Sequence, residues 1–246
     1  MKPTRIRWVV AAAALSLCSQ AQAAAVLFNS LNSTATLLFT GAQDGATLNA
    51  TVKFTLTAWS AQTATFSTIV TNNSSGPGQN VLMAFGITAI SPTLTGASTN
   101  SAAWGADIDV NFPSFQNIDL CLLSGNQCAG GSINDGLGMG GSSSFNLTLT
   151  TDASNNFMTQ GIGFISPYAI KFQGVGTLGR SIEFEGCVQG TGACGGGGGG
   201  AGGNNGNVPE PNALALLAAA ALAAGLAAGL ARRRTPRLPW LPSFSR

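Results

Sequence analysis

The chain has 246 residues, of which 45% are hydrophobic, 7% aromatic and only 8% charged, with no histidine. Lack of histidine excludes the commonest general base, the commonest metal ligand and every Ser-His-Asp or Cys-His arrangement. The formal charge of +2 belongs to the two ends: between residues 24 and 207, three cations (Lys53, Lys171, Arg180) face eight carboxylates, a net of −5, and with no basic stripe to neutralise phosphates nucleic acid is excluded as a partner.

Lys2, Arg5 and Arg7 precede an apolar run over residues 8–18, and Ala21-Gln22-Ala23 supplies the small residues of a cleavage site. This is the pattern of a secretory signal peptide, residues 1–23, cut by signal peptidase after Ala23. Cys18 does not read as a lipid-modified cysteine, because Leu17 stands where a small residue is required.

The exported domain, residues 24–194, is patterned with period two. Over residues 48–58, Leu48, Ala50, Val52, Phe54, Leu56 and Ala58 fall on one face, and Asn49, Thr51, Lys53, Thr55 and Thr57 on the other, which predicts a half-buried antiparallel strand. The alternation returns over residues 145–150, and more loosely over 64–71, 81–90, 107–112, 168–175 and 181–188. Turn-forming clusters separate these runs, among them Gln43-Asp44-Gly45, Ser91-Pro92 and residues 138–144. No window has a sustained helical period. The prediction is an all-β domain of about eight to ten strands in two packed sheets. A partly closed barrel is the alternative that periodicity does not separate from a sandwich.

Cys121, Cys128, Cys187 and Cys194 remain after signal cleavage. An even count in an exported chain favours disulfides, and the equal spacing favours Cys121–Cys128 with Cys187–Cys194. A four-thiolate zinc site prefers closer spacing, so no metal is expected.

Residues 195–207 are almost entirely glycine and asparagine and read as a flexible tether with a reach of about 20 Å. Val208-Pro209-Glu210-Pro211 follows, then the uncharged apolar run 213–231, then Arg232-Arg233-Arg234. At about 1.5 Å per residue that run spans roughly 28 Å as a helix, the thickness of a bilayer's hydrocarbon, and the arginines form a cytoplasmic stop-transfer signal. Gly225 and Gly229 are spaced to let two such helices approach, although alanine-glycine-rich helices offer such pairs by chance. In this order the three parts, residues 208–234, resemble the PEP-CTERM sorting signal of Gram-negative envelope proteins. The resemblance implies that an exosortase-like enzyme recognises the tail and removes it during export. Residues 235–246 run on past the point where members of that family usually end.

The remaining candidates for chemistry are carboxylates and aromatic rings. Asp107 with Asp109, and Glu183 with Glu185, are i, i+2 pairs that a regular strand would place on one face. Such pairs could hydrolyse a glycoside or, with Asp119, hold calcium, but alternating acids are also what the solvated side of a strand looks like. The latter is the expectation, as is a simple turn at Asn134-Asp135-Gly136. The glycines of 136–141 do not link a strand to a helix and form no dinucleotide fingerprint. Trp59, on the polar parity of its strand, and Trp104 are the candidate contacts for a polysaccharide.

Residues 118–131, Ile-Asp-Leu-Cys-Leu-Leu-Ser-Gly-Asn-Gln-Cys-Ala-Gly-Gly, lead into glycine-rich sequence and an alternating strand, with Tyr168-Ala169-Ile170-Lys171-Phe172-Gln173 further on. This arrangement is similar to the cistern family of PEP-CTERM proteins and implies no catalytic activity. The expectation is a non-enzymatic exported protein without cofactors, structural or adhesive in an exopolysaccharide or biofilm setting. It would pass through an inner-membrane-anchored intermediate to the outer surface or the medium. A carbohydrate-binding module is the second reading, and a carboxylate-dependent glycosidase the third.

Overall fold

The computed structural model describes residues 25–125 and 127–191. They form eleven antiparallel strands: β1 (Ala25–Phe28), β2 (Thr34–Gln43), β3 (Ala46–Trp59), β4 (Thr63–Asn72), β5 (Gly78–Ser91), β6 (Leu94–Thr99), β7 (Gly105–Phe112), β8 (Gln116–Leu123), β9 (Ser142–Thr151), β10 (Ile162–Val175) and β11 (Arg180–Val188). A 3-10 turn, Ile133–Asp135, and one helical turn, α1 (Phe157–Gln160), lie in the connections. No helix among the described residues is long and apolar enough to cross a membrane. The segment 213–231 lies outside them, as do residues 1–24.

The order β6-β9-β4-β3-β2-β11-β10-β5-β8-β7 is one continuous ladder, with β1 paired to the start of β10. Its two terminal strands, β6 and β7, lie side by side, so the sheet is nearly closed and barrel-like. Of the two architectures left open by the periodicity, this is the partly closed barrel. β11 makes the corner: residues 180–186 pair with β10, and Cys187 and Val188 pair with Leu38 and Leu37 of β2. Gly186 is obligatory there. A Cβ on it would sit 2.4 Å from the Phe39 ring and 2.7 Å from the Leu38 carbonyl oxygen.

The period-two reading of β3 is correct through Leu56. Leu48, Ala50, Val52, Phe54 and Leu56 are fully buried, while Thr51, Lys53 and Thr55 face out. Each large apolar side chain so buried contributes about 1.5–3 kcal/mol. They meet an aromatic centre in which Phe28, Phe54, Phe66 and Phe164 pack edge to face at centroid distances of 4.9–6.3 Å. Phe28 comes from the four-residue β1, so a short N-terminal strand plugs the middle of the core.

A second apolar cluster lies on the opposite side of the β8-β5-β10 region. Ala84, Cys121, Leu123 and Ala169 are covered there by Phe112, Ile118 and Cys128. This explains why β5 is buried almost without interruption from Asn80 to Ile87, since both of its faces are covered. At one end of the fold a buried asparagine pair ties loops to strands. Asn72 Nδ2 donates to the carbonyls of Asn80 and Leu137 at 2.9 and 2.8 Å, and Asn80 Oδ1 accepts from the Gly176 amide at 3.2 Å.

Candidate functional sites

The two tryptophans named as candidate sugar contacts lie against the core, one half-buried and one buried. In the β3–β4 ladder, Leu56 pairs with Phe66 but Ala58 pairs with Thr65, so Thr57 is an extra residue in a bulge. The bulge inverts the parity of the strand's end: Ala58 is exposed and Trp59, opposite Ala64, turns inward to pack half-buried against the core. Trp104 is only 3% exposed. Its ring stacks on Phe145 at 5.7 Å and 20°, and packs against Phe85 at 5.6 Å. Ser101 Oγ accepts from the Trp104 amide, and Thr99 Oγ1 donates to the Trp104 carbonyl, which holds the β6–β7 connection over the seam. An open depression of about 540 Å³ beside it is lined by residues 101–105, Gly125 and Asp135, with a single carboxylate.

Of the two carboxylate pairs, Glu183 and Glu185 keep the same-face placement of a regular strand, with Ile182 and Phe184 turned to the core, and Asp107 and Asp109 do not. Asp109 adopts a left-handed φ of 52°, and the alternation of β7 breaks at it: Ile108 packs on the inner core and Val110 on the outer cluster. Asp107 and Asp109 are therefore not the same-face pair that a regular strand would give. Asp119 Oδ2 accepts the Ile90 amide at 2.6 Å, which fixes β8 against the end of β5. Glu183 is held on both oxygens, by the Lys171 ammonium on Oε1 and by Ser114 Oγ on Oε2 at 2.6 Å. Glu185, two residues on, is exposed, and partial desolvation raises its carboxyl above the usual range. Among the described residues no three of His, Cys, Asp and Glu come together as a metal site.

Glu183, a candidate in the sequence, has as its partner Lys171, which was not among the candidates. The two residues are register partners on β10 and β11, and their side chains are 6% and 10% exposed. Lys171 lies in the apolar run Ile170-Lys171-Phe172 of an interior strand, and that unpaired cation was the signal available in the sequence. Ser114, at the tip of the β7–β8 hairpin with φ of 60°, reaches across to the same glutamate. The pair thus anchors the hairpin tip that covers the second cluster.

Cys121 and Cys128 form the expected disulfide, with Cα atoms 6.2 Å apart and both residues buried. It links the end of β8 to the loop that crosses Gly130. Cys187 is also disulfide-bonded. Cys194 lies outside the described residues, as do the sorting motif Val208, Pro209, Glu210, Pro211 and the arginines 232–234. Tyr168, the chain's one tyrosine, is fully buried, donates to the Phe164 carbonyl at 2.9 Å, and has its phenol pushed up to about 12 by burial.

No protein-family model matches the chain, and no curated protein or solved structure is significantly similar to it.

Proposed function

We propose that the chain is a non-enzymatic, exported component of the cell surface or extracellular matrix, delivered by an exosortase-like sorting system and structural or adhesive in an exopolysaccharide setting. The observation that carries this reading is the buried Cys121–Cys128 disulfide, which belongs to an oxidising compartment, in a chain whose ends have the pattern of a signal peptide and a PEP-CTERM tail. The residues singled out for chemistry support it as well. Glu183, Asp119 and Trp104 each make contacts that hold the fold together.

On this reading the tail acts as a temporary anchor, and residues 195–207 keep the Pro-Glu-Pro motif accessible to the sorting enzyme. Replacing Pro209, Glu210 and Pro211 together by alanine, followed by cell fractionation, tests this. The expected result is retention of the chain in the membrane fraction, where the unaltered chain reaches the surface or the medium. Release of both chains to the same extent would contradict it.

A further inference from the structure

The strands β2, β3, β4, β6 and β9 contain a single ionisable side chain among them, Lys53. The carboxylates carried by strands all lie on the other side of the barrel, in β7, β8 and β11. The outer faces of the two sides differ in a second respect. Beyond β5 and β10, the chain covers itself with Phe112, Phe115 and Cys128. Beyond β3, β4 and β9, the outward side chains stand partly or fully open to solvent.

Those side chains are in register across the sheet. Thr34, Thr55, Ser67 and Asn146 form one row over four strands. Thr65, Thr148 and Ser98 form part of a neighbouring row. Rows repeat every second residue, about 6.7 Å along a strand, and members of a row are about 4.8 Å apart. The result is a lattice of hydroxyl and amide groups that can both donate and accept, with threonine methyls between them. Leu38 and Ile69 interrupt it singly and make no apolar patch.

We propose that this outer face is the docking surface for a neutral, extended polysaccharide chain. The inference rests on the matrix reading above and names its ligand class. Charge decides the occupant. One cation over five strands cannot hold an anionic polymer, and the lack of a contiguous apolar area gives a protein or lipid surface little to bury. A neutral glycan offers the complementary groups, hydroxyls at a repeat close to one sugar per strand. The face carries no aromatic ring, so it grips no single sugar. Affinity comes from many weak contacts along an extended chain, and soluble short oligosaccharides bind poorly.

The test uses the full chain in detergent, sedimented with insoluble cellulose and, separately, with calcium alginate gel. Binding to cellulose well above binding to alginate is expected. Combining Thr55→Val, Ser67→Ala and Asn146→Ala removes the polar groups of three of one row's four members and lowers cellulose affinity by about tenfold. Thr65→Val with Thr148→Val, which keeps β-branched residues in the strands, gives a similar loss with an unchanged thermal melt. Failure to bind cellulose, equal binding to alginate, or unaltered binding in both variants overturns the proposal. If the same chain still reaches the surface, the matrix reading stands and only the docking face is lost.

Discussion

Replacing Lys171 by methionine removes one partner of the best-buried ion pair and leaves Glu183, 10% exposed, with Ser114 as its remaining polar contact. Methionine has nearly the volume of the lysine stem, so little cavity is created and the cost is electrostatic. Truncating one side of such a pair costs about 3–5 kcal/mol, because the remaining charge stays buried. Replacing both residues, Lys171→Met with Glu183→Leu, removes that charge as well and should restore most of the loss, to within about 1–2 kcal/mol of the parent. The assay is equilibrium urea unfolding of the parent, both single variants and the double variant, from which the coupling energy follows. A coupling below about 0.5 kcal/mol, or a double variant as unstable as the sum of the singles, would refute the reasoning. It would mean that the pair is solvated and does not anchor the hairpin.

Three further outcomes follow from the fold. Tyr168 is neutral in both states below its unfolded value of 10.0, and its folded value is raised to about 12. Its contribution to stability is therefore complete below pH about 10, and roughly 3 kcal/mol is lost as the pH rises to about 12, because the unfolded chain ionises first. Tyrosinate absorbance during alkaline titration reads this directly, since the chain has one tyrosine; a transition near 10 in the folded protein would contradict it. Converting Cys121 and Cys128 to alanine should cost about 2–3 kcal/mol in urea unfolding, from the closed loop of the unfolded chain; an unchanged midpoint would show that the bond does not constrain it. Gly186→Ala drives a methyl into the Phe39 ring and the Leu38 carbonyl. It should destabilise by about 1–3 kcal/mol, and a melting temperature equal to the parent's would place the β11 corner elsewhere.

What could be read in advance depended on whether a strand has one buried face. β3, β4 and β9 lie on the side whose outer face is open, and their alternation matched their burial almost residue for residue. β5 is covered on both faces, so its run Val81-Leu82-Met83-Ala84-Phe85 has no clean period to find. β2, β6 and β8 were not predicted, and β1 is only four residues long. β10 was read from Tyr168 onward, whereas it begins at Ile162. The register shifts between Ile165 and Tyr168, and Pro167 falls at an irregularity that the ladder tolerates. The error at Trp59 has the same origin: one extra residue at Thr57 reverses every later side chain, and no composition rule announces a bulge. The Cys121–Cys128 bridge was legible from the even count and equal spacing of the cysteines that follow the signal-peptide pattern. The partnership of Lys171 with Glu183 was not, because it depends on the β10–β11 register.

Export followed by removal of the C-terminal tail is the proposed route of this chain. Intact mass of the protein, recovered from each cell fraction of hosts with and without the exosortase-like enzyme, tests it most directly. A chain lacking residues 1–23 is expected in both hosts. In the host that has the enzyme, that chain should also be shortened near Pro209-Glu210-Pro211 and found at the surface or in the medium. A chain with the same uncut C-terminus in the inner membrane of both hosts would contradict the account and leave a permanently anchored single-span protein.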